Sequence, residues 1–131
     1  MDQRMKKYLI DTNILIYYFA DAIPQKEVTT VEEIFKTSFN LSIITKIEFL
    51  GWRKHTNEGY EKAKEFTGYA KTIQLNNKIA ELSIDIRRNF KIKLPDAVIA
   101  ATAIHNNLIL VTRNIKDFKD MEDLEIYSPF Q

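Results

Sequence analysis

The sequence predicts an α/β protein, a three-layer α/β/α sandwich around a central parallel sheet of about five strands. Short, nearly continuous apolar runs recur along the chain, which is typical of strands that are covered by helices on both faces. Segments with helical spacing of apolar residues separate these runs, and this alternation favours a parallel sheet. The length of 131 residues fits one compact domain, which we expect to cover residues 1–131.

Five short segments are predicted to be the strands of this sheet. Their bounds are residues 8–10, 41–44, 72–75, 108–111 and 124–127. Ligands of open parallel sheets bind outside the carboxyl ends of the strands. The residues that follow these segments are therefore the first candidates for a functional site.

Three segments between the strands are predicted to be helices. Two are amphipathic, with apolar stripes at Ile79, Leu82, Ile86 and Phe90 and, more weakly, at Tyr60, Ala63, Thr67 and Ala70. The third, residues 97–104, is apolar on nearly all sides apart from Thr102, so we expect it to be buried. Pro95 suits the first turn of that helix, where no backbone N–H is needed.

Composition excludes several classes of protein. The chain has no cysteine, which excludes a disulfide scaffold, a thiolate zinc site, an iron–sulfur cluster and a cysteine nucleophile. The longest apolar run near the N-terminus, residues 14–20, is too short to span a membrane and lacks the flanks of a secretory signal. We therefore expect a cytoplasmic protein that does not enter a membrane. The 19 Lys and Arg against 18 Asp and Glu give a net charge of +1, which alone does not indicate a nucleic-acid partner.

Four acidic residues lie at the ends of predicted strands or the starts of predicted helices. Asp11 directly follows the first strand, and Glu48 follows the second strand by about one helical turn. Asp96 lies in the first turn of the predicted buried helix, and Asp117 lies just past the fourth strand. Because the carboxyl ends of parallel strands share one edge of the sheet, these carboxylates can meet there.

Each acid also has a purely structural interpretation. Thr45 and Glu48 have the spacing of a capping box, and Asn114 and Asp117 form a cap-like pattern. An acid in the first turn of a helix, such as Asp96, interacts favourably with the helix dipole. These interpretations weaken when the four acids are considered together, because independent caps have no reason to converge.

A divalent cation would account for a cluster of carboxylates. Carboxylates that lie close together repel one another, and their pKa values rise unless a counter-ion is present. Oxygen ligands in a chain with no cysteine and two histidines favour Mg²⁺ or Mn²⁺ over zinc. Such an ion bridges phosphates and activates water. The residues therefore indicate a metal-dependent enzyme that acts on a phosphate ester.

Several short segments resemble the motifs of the PIN-domain nucleases. The opening motif of that family is similar to residues 9–13 (LIDTN). Further matches follow in the expected order at Glu48, at residues 94–101 (LPDAVIAA) and at residues 111–118 (VTRNIKDF). The chain looks most like the VapC-type toxins of type II toxin–antitoxin pairs, and the resemblance extends over residues 7 to about 127.

This resemblance implies a metal site, a reaction and two partners. The four acids would hold Mg²⁺ or Mn²⁺, with Asp11 and Asp96 as the most direct ligands. Glu48 and Asp117 would complete the pocket or hold a second ion. The supporting polar positions would be Asn13, Thr112 and Asn114. The implied reaction hydrolyses RNA to 5′-phosphate and 3′-hydroxyl ends, and the implied partners are a second copy of the chain in a homodimer and a cognate antitoxin.

Basic residues lie beside the acids in the sequence. The candidates for contact with RNA phosphates are Arg87, Arg88, Lys91, Lys93 and Arg113. A further basic cluster follows the helix of Glu48 and consists of Arg53, Lys54 and His55. We expect Trp52 in the core or on a partner surface rather than as a platform for base stacking.

Other functions remain open. One is a PIN-domain nuclease that processes RNA without a toxin role, and another is a metal-dependent phosphatase of a different acidic α/β fold. Phosphatases of the haloacid dehalogenase type need a second Asp two residues after the first, where this chain has Asn13. A non-catalytic binding module is expected to lack at least one of the four acids, and all four are present.

Overall fold

A computed structural model describes residues 6–130 of the chain. These residues contain five strands, which are β1 Tyr8–Ile10, β2 Asn40–Ser42, β3 Lys71–Ile73, β4 Ile109–Val111 and β5 Ile126–Tyr127. They also contain seven helices, which are α1 Thr12–Phe19, α2 Gln25–Thr37, α3 Ile43–Leu50, α4 Asn57–Thr67, α5 Asn77–Asn89, α6 Leu94–His105 and α7 Ile115–Phe118.

The five strands form one parallel sheet in the order β3-β2-β1-β4-β5. Helices pack on both faces, so the predicted α/β/α sandwich with a parallel sheet of about five strands is confirmed. The chain runs from β1 outward to β3 and then returns past β1 to β4. The strand order therefore reverses between β1 and β4, and the crevice outside the carboxyl ends of two such strands is where open α/β sheets bind ligands.

An apolar core lies on each face of the sheet. Leu9 and Ile10 are neighbours in β1, and both are fully buried because successive side chains of a strand point to opposite faces. Leu9 belongs to the core beneath α5, α6 and α7, whereas Ile10 belongs to the core beneath α1, α2, α3 and α4. At the end of β4, Leu110 lies in the same core as Leu9, and Val111 lies in the same core as Ile10. The two central strands are thus held from both sides, which positions the residues that follow them.

Two strands end earlier than the sequence predicts. β2 ends at Ser42 rather than at residue 44, because the Ser42 hydroxyl accepts a hydrogen bond from the backbone N–H of Ile44 (3.1 Å) and caps α3. β3 ends before residue 75, because the Asn76 side chain accepts a hydrogen bond from the backbone N–H of Ile79 (2.8 Å) and caps α5. In both cases a helix cap decides where the strand stops.

The edge strand β5 is also shorter than the predicted segment, residues 124–127. The backbone N–H of Leu124 donates to the carbonyl of Met121 (3.1 Å), so Leu124 belongs to a turn that precedes the strand. The backbone N–H of Thr112 donates to the carbonyl of Tyr127 (3.1 Å). β5 therefore helps to hold the end of β4 in place.

The three predicted helices are present. α6 includes the predicted buried segment, and residues 97–103 are all buried. The Thr102 hydroxyl there donates to the carbonyl of Val98 (2.7 Å), so its burial leaves no unpaired hydroxyl. Ala70 and Phe90 lie past the ends of α4 and α5, so the two predicted apolar stripes run slightly beyond their helices. Within residues 6–130, every helix is too short or too polar to cross a membrane.

Candidate functional site

Asp11 is the buried centre of the candidate site. It directly follows β1, and its backbone N–H donates to the carbonyl of Val111 at the end of β4 (2.9 Å). Its side chain is only 3% exposed, and it lies at the N-cap of α1. The carboxylate accepts hydrogen bonds from the hydroxyl of Thr112 (2.7 Å), the backbone N–H of Thr12 (2.8 Å) and the amide of Asn13 (3.2 Å). Three donors thus compensate the burial of one carboxylate.

The other acids act electrostatically on Asp11 and on one another. Burial raises the pKa of Asp11 to about 6, the hydrogen bonds from Thr112 and Thr12 oppose this rise, and the charges of Asp96 and Glu48 add to it. Burial also raises the pKa of Asp96, and the charges of Asp117 and Glu48 raise it further. The charges of the four predicted acids therefore act on one another in the same region of the structure.

A cavity of about 620 Å³ opens in front of these acids. Asp11, Glu48 and Asp96 line it, together with Asn13 and Asn114. It lies beyond the carboxyl ends of β1 and β4, at the reversal of strand order. The crevice expected from the strand order therefore lies at the place where Asp11, Glu48 and Asp96 are found.

Asp117 occupies a different position from the other three acids. It lies on the single-turn helix α7, is exposed and does not line the cavity. Its backbone N–H donates to the carbonyl of Asn114 (3.2 Å), whereas the Asn114 side chain makes no capping hydrogen bond. The predicted side-chain cap between these two residues is therefore absent. Asp117 contributes charge at the margin of the site through its effect on Asp96.

Glu48 is held by α1 rather than by a capping box. The Thr12 hydroxyl donates to Glu48 Oε1 (2.7 Å) and lies 3.2 Å from the hydroxyl oxygen of Thr45. The predicted capping box of Thr45 and Glu48 is wrong, because Ser42 is the cap of α3 and places Thr45 inside its first turn. Glu48 is exposed and lines the cavity. The contact with Thr12 therefore restricts a carboxylate that would otherwise be mobile.

The three predicted supporting residues connect the ends of β1 and β4. Asn13 donates to Asp11 through its amide, and its carbonyl oxygen accepts from the backbone N–H of Arg113 (3.2 Å). The Thr112 hydroxyl donates to Asp11 and accepts from the backbone N–H of Asn114 (3.0 Å). Each hydrogen bond of this network fixes either the Asp11 carboxylate or the loop that faces it.

The predicted RNA-contacting residues are dispersed. Arg87 and Arg88 do not line the acidic cavity, and instead they border an apolar groove between α5 and α6. Lys93 lies close enough to Asp96 for its charge to lower the pKa of that carboxyl. Lys91 is exposed in the loop between α5 and α6. The guanidinium carbon of Arg113 lies 4.8 Å from the ring centroids of two aromatic residues, Tyr17 and Phe130.

The cavity also has a second wall, whose position the sequence does not predict. Trp52, Arg53 and Lys54, in the loop after α3, line the same space as the acids. Trp52 is half-buried on this wall, although we expect it in the core or on a partner surface. The basic pair after the helix of Glu48 is the one sequence signal that points to this wall.

The side chains fit a divalent cation by their chemistry. The cavity offers carboxylate and amide oxygens, which are the ligands that Mg²⁺ and Mn²⁺ prefer. Burial, and to a smaller extent repulsion between the acids, raises the pKa values of Asp11 and Asp96, and a nearby cation would oppose both effects. As placed in residues 6–130, no three acidic or histidine side chains converge closely enough to hold an ion. Mg²⁺ commonly binds through one or two carboxylates and keeps several water ligands.

Comparison with known proteins gives one family and a group of similar structures. The family model of the PIN domain matches residues 8–124. A toxin–antitoxin complex from Klebsiella pneumoniae contains a chain with 32% sequence identity and a TM-score of 0.78, and the match covers 95% of this chain and 99% of that one. No curated protein matches at a significant level.

Two further solved structures are similar over most of their length. VapBC2 from Rickettsia felis, bound to a DNA fragment from its promoter, matches with 25% identity and a TM-score of 0.78 over 92% of this chain and 97% of that one. VapBC-1 from nontypeable Haemophilus influenzae matches with 24% identity and a TM-score of 0.78 over 95% and 98%. The last of these matches is informative about the fold alone.

Proposed function

The chain belongs to the PIN domain family, whose members are nucleases, and we propose that it hydrolyses RNA with the help of a divalent metal ion. We further propose that it is the toxin of a type II toxin–antitoxin pair. The observation that carries this proposal is a cavity at the reversal of strand order that three of the four predicted acids line, namely the buried Asp11 with Glu48 and Asp96. A carboxylate cluster of this kind suits charged phosphodiesters only when a cation neutralises it.

Asp11 and Asp96 are the proposed direct ligands of the ion, which would be Mg²⁺ or Mn²⁺. Glu48 and Asp117 complete the pocket or hold a second ion. Asn13, Thr112 and Asn114 act indirectly, because they orient the Asp11 carboxylate and the facing loop. An ion bound there supplies Lewis-acid stabilisation of the phosphate and acidification of water.

The residues of the chain perform the remaining tasks of the reaction. The cavity accepts the scissile phosphate beside the acids, and its carboxylates accept the proton of the attacking water. Water attacks phosphorus in line and expels the ribose 3′-oxygen, so the products carry 5′-phosphate and 3′-hydroxyl ends. Thr112, Asn13 and Thr12 keep the carboxylates in fixed orientations, which lowers the reorganisation that the reaction requires.

The toxin role is supported by the kind of protein that this chain resembles. The similar chain from Klebsiella pneumoniae was solved in a toxin–antitoxin complex, and the match covers nearly the full length of both chains. We therefore propose a cognate antitoxin as a partner, a homodimer as the assembled form and the cytoplasm as the compartment. An RNA-processing nuclease without a toxin role is the second candidate, because its site would contain the same four acids. A small antitoxin gene next to this gene would distinguish the toxin from the processing enzyme.

A cleavage assay with purified protein tests the nuclease proposal. Single-stranded RNA should be cut with Mg²⁺ or Mn²⁺, and EDTA should abolish cutting. Asp96→Asn should reduce the rate by about a thousandfold or more, since loss of a group central to the reaction costs several kcal/mol of transition-state stabilisation. Circular dichroism and thermal melting should show that this variant is folded. Equal cleavage in EDTA, or full activity of folded Asp96→Asn, would refute the proposed site.

A further inference from the structure

The cavity has an acidic wall and a second wall of opposite charge. The second wall is the loop between α3 and α4, where Trp52, Arg53 and Lys54 line the same cavity of about 620 Å³ as the acids. We call these three residues the loop wall. Arg53 and Lys54 are exposed, and within residues 6–130 neither of them forms an ion pair. Their charges are therefore free to meet an anion in the cavity.

Trp52 is held in place by the chain that leads to it. Gly51 allows α3 to end in a tight turn, because a Cβ atom at this position would lie 2.8 Å from the carbonyl oxygen of Ile47. The backbone N–H of Gly51 donates to that same carbonyl (2.8 Å), and the backbone N–H of Trp52 donates to the carbonyl of Phe49 (3.3 Å). The turn thus directs Trp52 toward the cavity.

A second contact supports the indole ring. The centroid of the His55 ring lies 5.2 Å from that of Trp52, and the planes are nearly perpendicular at 85°. His55 Nε2 donates to the carbonyl of Phe49 (2.8 Å), and the Phe49 side chain is fully buried. The indole therefore rests on a residue that is anchored to the core. A half-buried aromatic ring fixed in this way loses little conformational entropy on binding a ligand.

We propose that the loop wall is the surface that selects single-stranded RNA, with Trp52 stacking on an unpaired base and Arg53 and Lys54 holding the adjoining phosphates. Stacking on an aromatic ring requires a base that is free of a duplex. Cations on one wall and metal-binding acids on the other place the scissile phosphate between them. This inference rests on the proposed nuclease function, and it assigns the recognition of the base to Trp52.

Fluorescence tests the stacking directly, because Trp52 is the only tryptophan in the chain. Asp96→Asn protein, which does not consume the substrate, is titrated with a short single-stranded RNA and with an abasic oligonucleotide of the same length. We expect the RNA to quench the emission in a saturable way and the abasic oligonucleotide to bind without quenching. A double-stranded RNA of the same sequence should bind more weakly. RNA that binds without any change in emission would overturn the proposal.

Further substitutions in the Asp96→Asn protein measure how much each residue of the loop wall contributes to RNA affinity. Trp52→Phe keeps an aromatic ring and should change the RNA dissociation constant by less than about threefold, whereas Trp52→Leu keeps apolar bulk and should raise it by about tenfold or more. A double variant of the two cations, Arg53→Ala/Lys54→Ala, should lower the steepness with which log affinity falls against log salt concentration by about 1.4.

The matched control for this double variant is Lys26→Ala/Lys36→Ala. It removes two exposed charges from α2, away from the cavity, and should leave the affinity for RNA nearly unchanged.

The outcomes separate this inference from the proposed function. Metal-dependent cleavage combined with unchanged affinity in Trp52→Leu and in Arg53→Ala/Lys54→Ala would overturn the loop wall and leave the nuclease intact. Quenching and salt dependence as expected, without cleavage by the wild type, would retain the loop wall as a binding surface and refute the nuclease. Quenching by a co-purified antitoxin but not by RNA would identify the loop wall as a protein contact and overturn the proposal.

Discussion

The Thr112 hydroxyl donates a 2.7 Å hydrogen bond to Asp11 Oδ2 across a separation of 101 residues. Thr112 follows β4 and is fully buried, and Asp11 follows β1 and is nearly so. The contact therefore joins the carboxyl ends of the two strands between which the strand order reverses. It also shows how a buried carboxylate is compensated by a hydrogen-bond donor from the neighbouring strand.

Removal of this hydroxyl should lower the stability of the folded protein. Thr112→Val preserves the shape of the side chain but leaves Asp11 without its shortest hydrogen bond, and Asn114 loses the acceptor for its backbone N–H. We expect the free energy of unfolding to fall by about 2 kcal/mol near neutral pH. Urea unfolding measures this change. Thr112→Ser keeps the hydroxyl and should stay within about 1 kcal/mol of the wild type. Wild-type stability in Thr112→Val together with a loss in Thr112→Ser would show that the methyl group matters and not the hydrogen bond.

The burial of Asp11 predicts a specific dependence of stability on pH when no divalent ion is present. Its pKa rises from 3.8 to about 6 on folding, so between these values the folded protein binds the proton more tightly than the unfolded chain does. The contribution of this group to the free energy of unfolding is therefore largest below pH 3.8 and falls as the pH rises through about 6. The total fall is roughly 3 kcal/mol.

Asp11→Asn removes this buried charge and should stabilise the metal-free protein. We expect a gain of about 1–2 kcal/mol near neutral pH, because the amide avoids the desolvation penalty but accepts fewer hydrogen bonds than the carboxylate. Urea unfolding of both proteins in EDTA between about pH 4 and pH 7 measures the difference. A wild-type stability that does not fall relative to that of Asp11→Asn over this range would contradict the predicted pKa.

The contact between Thr12 and Glu48 should matter for turnover more than for folding. Thr12→Val removes the hydroxyl that holds the exposed Glu48 carboxylate. We expect kcat for RNA cleavage to fall by about tenfold with a smaller change in KM, because misorientation of a catalytic carboxylate mainly affects the transition state. Steady-state kinetics measures the two constants. Thr12→Ser should recover most of kcat, and a Thr12→Val enzyme with wild-type kcat would remove Thr12 from the site.

The sequence predicts the sheet and the positions of its acids because both depend on local patterns. The apolar run at residues 8–10 and the acid that follows it determine where Asp11 lies once the strands are parallel. The end of β2 is not predicted, because Ile43 and Ile44 are β-branched and fit a strand as well as a helix. The capping hydrogen bond of Ser42 decides between the two.

The loop wall could not be predicted from the sequence alone. Its position depends on the turn at Gly51 and on the packing of His55 against Phe49 and Trp52, which are properties of the folded chain. Nearness in sequence is also a poor guide to nearness in space for Arg87 and Arg88, which lie shortly before the segment of Asp96. α5 nevertheless directs them to another groove.

Sequencing of cleaved RNA from cells shows whether the acidic cavity is the nuclease centre. RNA with 5′-phosphate ends is sequenced after brief expression of the wild type and of Asp96→Asn at equal protein levels. The proposed site predicts discrete new ends with the wild type, at single-stranded positions, and no such ends with the folded Asp96→Asn variant. The same new ends in both samples would contradict the assignment of the acidic cavity as the nuclease centre.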